Sequence, residues 1–384
     1  MWTIHLIVAA RPNFMKVAPL YHALKSVGWA NPVLIHTGQH YDLNMSDVFF
    51  QDLGLPEPDI HLGIGGGTHA EQTGSVMIEY EKILYETMPD FLVVVGDVNA
   101  TMACTLAAMK VTYNQHSHSA SSSGKLAKTR PVIGHLEAGL RSFDRSMPEE
   151  INRIVTDSLA DVLWTPSPDG DDNLRSEGVD PDKIVRVGNI MLDSFEMLRN
   201  KIESESVLDE IRLDPGSYAV VTLHRPANVD VKHKLELLCK ELVEIANDIS
   251  ICFPIHPRTK KNLLQYDLLS VLEQHDNIII LEPQNYIRFM SLVINCQYVI
   301  TDSGGIQEET TYLGIPCLTI RPNTERPITV EMGTNVLCEI DNFRELAGEI
   351  SNKYESNKPQ VIDLWDGKTS GRVVESINKI LMGR

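Results

Sequence analysis

The sequence predicts an α/β protein with two Rossmann-like, doubly wound domains that face a central cleft. Short apolar runs alternate with helical patterns through most of the chain, which is typical of parallel strands covered by helices on both faces. At 384 residues the chain is too long for one ordinary core and suits two domains of similar size. The apolar runs fall into two sets, and the pattern pauses between them near Gly188.

The first set of runs predicts the sheet of an N-terminal domain, residues 1–188. Its apolar residues are continuous rather than alternating, as expected of strands that are buried on both faces. We assign five runs to this sheet: Thr3–Ala9, Val33–His36, Phe91–Gly96, Val132–His135 and Val162–Thr165.

The second set predicts the sheet of a C-terminal domain, residues 189–366. Its runs again alternate with helical patterns and are followed by short polar segments. We assign six runs to this sheet: Ile184–Val187, Tyr218–Leu223, Ile251–Ile255, Ile278–Leu281, Tyr298–Thr301 and Pro316–Ile320.

Composition and charge exclude several classes of function. The net charge of −18 disfavours non-specific binding to nucleic acid or to an anionic membrane. We see no apolar run long enough to span a membrane, and Met1 leads into a strand rather than a signal peptide. The six cysteines are scattered, with no C-x-x-C pair. We therefore expect a cytoplasmic protein with neither disulfides nor a metal site.

The segment from His135 to Arg153 combines carboxylates with arginines. Glu137 follows a short apolar strand, where catalytic groups of open α/β sheets collect. Acids packed among bases suit a site that moves protons on an anionic substrate. Glu149 has a structural alternative, because it could form a capping box with Ser146 or a helix-surface pair with Arg153. Spacing alone slightly favours that alternative.

Two further segments of the first domain place polar residues after strands. Asp97 ends F-L-V-V-V-G-D and so points into the crevice, although it could equally be the N-cap of the next helix. Arg11 and Lys16 lie in the first turn between strand and helix, where a dinucleotide-binding fold carries glycines. Arg11 could hold a phosphate or carboxylate there, or could be a surface base. No G-x-G-x-x-G follows a strand, so we expect no nicotinamide cofactor.

In the second domain, T-D-S-G-G-I-Q-E-E follows an apolar strand. Its S-G-G turn would open a helix whose backbone N–H groups and positive dipole end suit a diphosphate, although it could also be an ordinary cap. Glu309, one turn into the helix, could accept hydrogen bonds from ribose hydroxyls. The segment E-P-Q-N-Y-I-R-F offers an amide and an aromatic ring to a base. The other residues that we assign to this candidate nucleotide site of the second domain are Ser303, Gly304, Gly305, His224, Arg225 and Arg326.

Together these motifs resemble the non-hydrolysing UDP-N-acetylglucosamine 2-epimerase family, which has the glycosyltransferase-B architecture. The matches occur in order over nearly the whole chain, and so many collinear matches are far more specific than any single one. They favour functional roles for Asp97 and Glu149. The matching segments are A-R-P-N-F-M-K, H-T-G-Q-H-Y-D, V-V-G-D, H-L-E-A-G-L-R, M-P-E-E-I-N-R, L-H-R, E-P-Q-N-Y, T-D-S-G-G-I-Q-E-E and T-E-R-P.

The resemblance implies an epimerase that inverts carbon 2 of a UDP-N-acetylhexosamine. It also implies a homodimer that serves polysaccharide synthesis, requires no cofactor and folds a helix, residues 367–384, back onto the first domain. The implied catalytic residues are Asp97, Glu137, Glu149 and His224. The implied substrate-binding residues are Arg11, Lys16, Arg153, Arg225, Gln284, Phe289, Ser303, Gly304, Gly305, Glu309 and Arg326.

Chemistry narrows the mechanism. The hydrogen on carbon 2 is not next to a carbonyl group, so its direct removal would give a very unstable carbanion. Expulsion of UDP in the same step avoids this, and the family resemblance implies a 2-acetamidoglucal intermediate to which UDP adds back. We expect one of the three acids to remove the proton and another to return one from the opposite face. His224 and the arginines would stabilise the charge on the leaving group.

Departures from the family pattern leave the substrate open. The sequence Y-D-L-N-M-S-D after Gln39-His40 differs from the more basic segment of members that their own substrate activates, and L-H-R-P-A-N-V-D differs from H-R-R-E-type versions. The Ser-rich segment 113–128 resembles an insertion, and we do not expect its His116 and His118 to bind a metal. A 2,3-diacetamido uronic acid or a 6-deoxy amino sugar on UDP therefore remains open.

Three other functions also remain open. A glycosyltransferase of the same architecture would need an acceptor, and the acids assigned near carbon 2 argue against it. A hydrolysing epimerase would release free N-acetylmannosamine and UDP. A non-catalytic module that binds nucleotide sugars is disfavoured by the number of titratable groups assigned to the site.

Overall fold

The computed structural model describes residues 1–38, 52–113, 129–353 and 361–383. The chain divides into two compact units: unit 1 is Met1–Met197 with Asp363–Arg384, and unit 2 is Leu198–Ile362. The first division, after Met197, falls inside helix Ile190–Glu203, nine residues after the predicted boundary at Gly188.

Among the described residues, unit 1 forms a parallel sheet of seven strands. Its order is β3-β2-β1-β4-β5-β6-β7, so the strand order reverses between β1 and β4. Ligands of doubly wound sheets bind at the carboxyl ends of strands near such a reversal. In chain order the elements are β1 (Trp2–Val8), α1 (Arg11–Lys25), β2 (Ala30–His36), β3 (Ile60–His61), α2 (His69–Thr87), β4 (Phe91–Val95), α3 (Asn99–Lys110), β5 (Val132–Leu136), α4 (Pro148–Leu159), β6 (Val162–Thr165), α5 (Pro168–Ser176), β7 (Ile184–Arg186) and α6 (Ile190–Glu203), which runs on into unit 2.

Within its described residues, unit 2 forms a parallel sheet of six strands in the order β10-β9-β8-β11-β12-β13, with the reversal between β8 and β11. The elements in chain order are α7 (Val207–Ile211), β8 (Tyr218–Thr222), α8 (Pro226–Val229), α9 (Lys232–Ile245), β9 (Ser250–Pro254), α10 (Pro257–Gln265), α11 (Leu269–Glu273), β10 (Ile278–Leu281), α12 (Tyr286–Ile294), β11 (Tyr298–Thr301), α13 (Gly305–Leu313), β12 (Cys317–Ile320), α14 (Ile328–Glu331), β13 (Asn335–Cys338) and α15 (Phe343–Lys353).

The C-terminal helix, α16 (Thr369–Met382), belongs to unit 1 and packs on α1. The backbone N–H groups of Thr369 and Ser370 donate to the carboxylate of Asp193 at 2.9 and 2.7 Å. Farther along, the indole N–H of Trp164 donates to Ser376 Oγ at 3.0 Å. These contacts fix the amino end and the middle of the helix on unit 1.

The predicted fold class, two doubly wound α/β domains, is confirmed by these two parallel sheets. One strand assignment is wrong: the sequence places Ile184–Val187 in the second sheet, but Ile184 pairs with Leu163 at the edge of the first. An apolar run predicts a strand but not its neighbour. The short crossover through α5 returns the chain beside β6.

The cores of both sheets consist of strands with almost no exposed side chains. All five residues of β4 are buried, which explains why its sequence is continuously apolar. The polar residues that follow such strands therefore emerge at the carboxyl edge of each sheet. Within the described ranges, no helix combines the length and the apolar character needed to cross a membrane.

Candidate active site

The carboxyl ends of β4 and β5 lie side by side in unit 1, and each is followed by an acidic residue. Gly96 ends the first of these strands with a φ of +66°, and a Cβ at this position would lie 3.2 Å from both Glu137 Oε2 and Lys16 Nζ. Glycine suits both the left-handed backbone and the close approach. The structure thus brings Glu137 and Lys16 against the turn that carries Asp97.

Glu137 and Lys16 form a buried ion pair. Nζ of Lys16, on α1, donates to Glu137 Oε2, and the two side chains are only 6% and 10% exposed for Glu137 and Lys16, respectively. Glu137 also has a φ of +74°, a backbone conformation that costs a non-glycine residue on the order of 1–3 kcal/mol. Strain of this kind clusters at functional sites, where the surroundings hold the residue in place.

Asp97 is held by Arg153 of α4. Nη1 of Arg153 donates to Asp97 Oδ2 at 2.5 Å, while its Nε and Nη2 donate to Glu150 at 3.0 and 2.7 Å. Burial raises the pKa of Glu150, but the backbone N–H groups of Ser142 and Phe143, together with Arg153, bring it below its usual value. Arg153 therefore links the carboxylate of Asp97, which is 35% exposed, to the buried, ionised carboxylate of Glu150.

The structural alternatives for Asp97 and Glu149 are both wrong. The N-cap of α3 is Val98, so Asp97 lies outside the helix. The N-cap of α4 is Met147, without a side-chain cap bond, and Arg153 pairs with Glu150 rather than Glu149. Glu149 is exposed in the first turn of α4. Two neighbouring glutamates at similar helical spacings explain why sequence alone selected the wrong partner for Arg153.

Some of the predicted residues lie outside what the structure describes. Arg11 is the first residue of α1, but its side chain is not among the described ones. The segments 39–51 and 114–128 are also outside them. The predictions made for Gln39-His40 and for His116 and His118 therefore remain predictions.

In unit 2, the adjacent ends of β8 and β11 bring His224 and Asp302 together. Nδ1 of His224 lies 3.1 Å from Asp302 Oδ1, and the backbone N–H groups of His224 and Arg225 donate to the same carboxylate at 3.1 and 2.9 Å. Burial raises the pKa of Asp302, but His224 and these donors lower it below its usual value. Because Nδ1 faces Asp302, Nε2 is the ring nitrogen that could face a ligand.

The S-G-G turn lies against a row of alternating charges. A Cβ on Gly304 would lie 2.4 Å from Glu325 Oε1 and 2.8 Å from Arg326 Nη1, so a side chain there would displace the ends of these two side chains. Arg326 contacts Glu308 at 2.8 Å and Glu325 at 2.5 Å, and Glu325 also accepts from Arg321 at 2.7 Å. Burial raises the pKa of Glu325, but the two arginines lower it far below its usual value. The charge of Arg326 is thus balanced by two glutamates.

Ser303, Gly304 and Gly305 occupy the start of α13, as the sequence predicts. Gly305 is the first residue of the helix, Gly304 is its N-cap, and Ser303 donates its backbone N–H to Thr301 Oγ1 at 2.9 Å. The amino end of this helix therefore carries no side-chain cap on its first turn. Its backbone N–H groups and dipole favour an anion.

Glu309 is buried within the same helix. It accepts a hydrogen bond from the Tyr286 hydroxyl at 2.6 Å. Burial raises the pKa of Glu309 to about 7, although the bond from Tyr286 opposes this shift. Near neutral pH this carboxyl group is therefore divided between its neutral and ionised forms.

Gln284 and Phe289 are both half-buried, before and within α12. The side-chain amide of Gln284 donates to the carbonyl of Glu282 at 2.7 Å and accepts from Arg288 Nε at 2.9 Å. These bonds fix the amide beside the start of the helix that carries Phe289 and Tyr286.

Several residues that build these two edges were missed by sequence reasoning: Glu150, Asp157, Asp302 and Glu325 are all buried carboxylates that hold a cation or a turn. A signal existed for Asp302, because it directly follows an apolar strand as Asp97 does. For the others, the partner lies in a different element and no local pattern identifies it.

Comparison with known proteins gives a consistent result. The family model described as UDP-N-acetylglucosamine 2-epimerase matches residues 22–378. A UDP-N-acetylglucosamine 2-epimerase of Methanocaldococcus jannaschii is 39% identical, with 97% of each chain covered. A UDP-2,3-diacetamido-2,3-dideoxy-D-glucuronate 2-epimerase of Pseudomonas aeruginosa is 34% identical, with 97% of this chain and 99% of the relative covered.

Solved structures agree with these relatives. The crystal structure of the M. jannaschii enzyme in complex with UDP-GlcNAc and UDP has a TM-score of 0.83 at 38% identity, covering 98% of this chain and 99% of the other. The family and the isomerase class predicted from the motifs are confirmed. The chain belongs to the UDP-N-acetylglucosamine 2-epimerase family.

Proposed function

We propose that this protein inverts carbon 2 of a UDP-N-acetylhexosamine, with UDP-GlcNAc and UDP-ManNAc as the reference pair. The observation that supports the proposal is the pair of acidic residues, Asp97 and Glu137, at neighbouring strand ends of unit 1, each bonded to a cation. Family membership supplies the reaction class, and these residues supply groups that can carry it out.

The reaction proceeds by elimination and re-addition. A carboxylate takes the proton from carbon 2 while the bond between carbon 1 and the UDP oxygen breaks, which leaves 2-acetamidoglucal, UDP and a protonated acid. UDP then adds back to carbon 1, and a proton reaches carbon 2 from the opposite face. Both faces therefore need an acid or base group, and water must be kept out while the glycal is held.

In unit 1, we assign the proton transfers to Asp97, Glu137 and Glu149. Lys16 holds Glu137, and Arg153 holds Asp97, so that each carboxylate has a fixed orientation. Glu149 is exposed and is the third acid of the set. The base and the acid exchange roles between the two directions of the reaction, because each group must act in reverse.

In unit 2, we assign the UDP moiety to the helix start and its neighbours. The N–H groups of Gly304 and Gly305 and the hydroxyl of Ser303 suit the diphosphate, and His224 suits the oxygen that leaves carbon 1. Glu309 would accept hydrogen bonds from the ribose hydroxyls. Uracil would lie against Gln284 and Phe289, and the remaining cations of unit 2 assigned to the phosphates are Arg225 and Arg326.

The direct test is incubation with UDP-GlcNAc followed by proton NMR. We expect UDP-ManNAc, with the sugar still attached to UDP. Free N-acetylmannosamine with UDP would indicate the hydrolysing reaction, and unchanged substrate that reacts only when an acceptor is added would indicate a glycosyltransferase. A substrate labelled with ¹⁸O in the bond between carbon 1 and UDP adds a second measurement. Migration of the label to non-bridging positions of the β-phosphate is expected if that bond breaks reversibly.

A second substrate is favoured by one comparison. The P. aeruginosa relative, 34% identical, is named as an epimerase of a UDP-2,3-diacetamido uronate. We therefore include that UDP-sugar as the alternative substrate. Measuring kcat/KM for both UDP-sugars under the same conditions decides between them, because the true substrate should exceed the other by tenfold or more, about 1.4 kcal/mol of transition-state binding.

We also propose a homodimer. Ile78 and Tyr85 are 59% and 48% exposed, and they lie seven residues apart on α2, so they share one face of the helix. Large apolar side chains grouped on a surface favour contact with another chain. Sedimentation should give a dimer for the wild type and a monomer after Ile78→Lys with Tyr85→Lys. Lys240→Glu, which replaces an exposed residue of α9 in unit 2, serves as control. A monomeric wild type would contradict this proposal.

The proposed location is the cytoplasm, in the synthesis of a surface polysaccharide. The six cysteines are buried free thiols, which suits a reducing compartment. Cell fractionation with detection of the untagged chain tests the location. Recovery in the periplasmic or extracellular fraction would contradict it.

A further inference from the structure

A buried histidine lies directly behind the acidic turn of unit 1. We infer that His135 is a positioning residue, held as an imidazolium, that fixes the Gly96–Asp97 turn for proton transfer. The catalytic consequence rests on the proposed function, whereas the protonation of the ring does not.

Both ring nitrogens of His135 face acceptors. The side chain is fully buried on β5, with Nε2 at 2.8 Å from the Gly96 carbonyl oxygen and Nδ1 at 2.6 Å from Asp157 Oδ1. A carbonyl oxygen can only accept, and an ionised carboxylate can only accept as well. Each nitrogen therefore donates a proton, and an imidazole ring that donates from both nitrogens carries a positive charge.

The surrounding charges balance this cation. Asp157 Oδ2 contacts Arg141 Nη1 at 2.7 Å and accepts the backbone N–H of Gly139 at 3.1 Å. Arg141 donates in turn to both carboxylate oxygens of Glu177 at 2.7 Å. Burial raises the pKa of Asp157, but His135 and Arg141 lower it below its usual value. Two cations and two carboxylates thus form a neutral group, in which His135, Arg141 and Asp157 are buried and Glu177 lies at the surface. Pairing of this kind is the condition under which charges tolerate burial.

This buried group connects to the reacting edge through helix α4. Asp157 of that helix orients His135, which in turn holds the Gly96 carbonyl. From the preceding turn of the same helix, Asn152 Nδ2 donates to the Asp97 carbonyl oxygen at 2.8 Å, and Arg153 bonds the Asp97 carboxylate. Both peptide groups of the Gly96–Asp97 turn are therefore fixed by α4, directly or through His135.

A neutral ring could satisfy only one of its two partners in the present arrangement. If it kept the proton on Nδ1, the Gly96 carbonyl would lose its donor and the turn could rotate. Gly96 packs against Glu137 and Lys16, so a rotation would displace Glu137 as well as Asp97. The inferred role of His135 is thus to hold two carboxylates in place without contacting substrate.

The protonation is tested by ¹⁵N NMR of protein labelled at histidine, at pH 8, where exposed imidazoles are neutral. We expect one ring with protons on both nitrogens, absent from His135→Asn and retained in His233→Asn, which replaces an exposed histidine of unit 2. If His135→Asn does not fold, Asp157→Asn provides the second variant, because it removes the carboxylate that the ring requires. A wild-type spectrum with only singly protonated rings would overturn the inference.

The positioning role is tested by kinetics of His135→Gln, whose amide can still donate to the Gly96 carbonyl, beside Asp157→Asn. We expect kcat to fall about tenfold or more in Asp157→Asn and by less in His135→Gln, with KM within about twofold in both. The affinity for UDP should stay unchanged. Wild-type kcat in a folded Asp157→Asn variant would overturn the role. A chain that lacks epimerase activity but shows the doubly protonated ring would contradict the proposed function while supporting the protonation of His135.

Discussion

The acidic residues at the carboxyl edge of unit 1 are bonded to cations, whereas one carboxyl group at the corresponding edge of unit 2 is not held in its ionised form. Glu137 pairs with Lys16 and Asp97 with Arg153, while Glu309 bonds to a tyrosine hydroxyl and has its pKa raised to about 7. The two sheets, whose first six strands have the same order, thus stabilise different charge states. The carboxylates of Glu137 and Asp97, each oriented by a cation, suit proton transfer in a fixed geometry. The carboxyl group of Glu309, which is bonded to a hydroxyl group, suits a ligand that donates hydrogen bonds.

The two edges also differ in how they use backbone strain. In unit 1, Glu137 itself has a left-handed backbone, so the strain falls on a residue assigned to the reaction. In unit 2, the tight approach falls on Gly304, where a side chain would displace the ends of the Glu325 and Arg326 side chains. A glycine there leaves the helix start open to an anion, which agrees with the assignment of UDP to unit 2.

The largest expected effect comes from breaking the buried pair in unit 1. Lys16→Met should lower the free energy of unfolding by about 3–5 kcal/mol, because it leaves the Glu137 carboxylate buried without a cation. Urea unfolding measures this, and the double variant Lys16→Met with Glu137→Leu should recover most of the loss. A loss below about 1 kcal/mol, the size typical of exposed pairs, would show that the carboxylate is solvated in the variant.

The next effect concerns activity. Glu137→Gln should lower kcat on the order of a hundredfold or more, because the amide cannot accept the proton from carbon 2. Its affinity for UDP should not change, since UDP is assigned to unit 2. The matched control is Glu79→Gln on α2, whose side chain is 41% exposed and pairs with Lys82 at the surface, and which should react at the wild-type rate. Near-normal turnover of Glu137→Gln would remove this residue from the mechanism.

Neighbouring glutamates on α4 provide a sharper comparison within unit 1. Glu150→Gln should destabilise the protein by about 1–3 kcal/mol, because a buried acceptor of Arg153 and two backbone N–H groups is lost. Glu149→Gln should leave stability unchanged and reduce kcat by about tenfold or more. Thermal unfolding and initial rates measure both. The reverse pattern would exchange the roles of the two residues.

The smallest effect is the pH dependence of UDP binding in unit 2. With a pKa of about 7, Glu309 is mostly protonated at pH 6 and mostly ionised at pH 8. UDP affinity should therefore rise about tenfold over this range, following the ionised fraction, if ribose hydroxyls donate to the carboxylate. Calorimetry of wild type and Glu309→Gln measures this, and the variant should lose the dependence on Glu309. A wild-type affinity that falls with pH would contradict the ribose assignment.

The raised pKa of Glu309 also affects the stability of the folded chain, and it lowers that stability as pH rises. The pKa of Glu309 is higher in the folded chain than its ordinary value of 4.5. The folded state therefore holds the proton where the unfolded state has lost it, and this group lowers stability as pH rises from 4.5 towards 7. Glu309→Gln should flatten that part of the stability profile.

Sequence patterns identified much of the fold for a physical reason. Strands buried on both faces leave continuous apolar runs, so β4 and β8 were predictable. The two-residue strand β3 is too short to be distinguished by its apolar residues. The strand β13 was missed although three of its four residues, N-V-L-C, are apolar. The pairing of Ile184–Val187 was mispredicted because the apolar run does not encode which sheet receives it.

The candidate site shows the same limit at the level of single residues. Asp97 and Glu137 follow apolar strands, which is a local pattern and could be predicted. Their partners could not, because the contact between Asp97 and Arg153 joins residues 56 positions apart and depends on how α4 packs. The buried pair of His135 and Asp157, 22 positions apart, has no sequence signal of its own for the same reason.

The central claim is that unit 1 carries out the proton transfer and unit 2 binds UDP. Its most direct test is deuterium incorporation at carbon 2 during turnover of UDP-GlcNAc in deuterium oxide. The account predicts that wild-type product carries deuterium at that carbon, and that Glu137→Gln loses the incorporation while still binding UDP. Product that forms without deuterium at carbon 2 would contradict proton removal by the acids of unit 1.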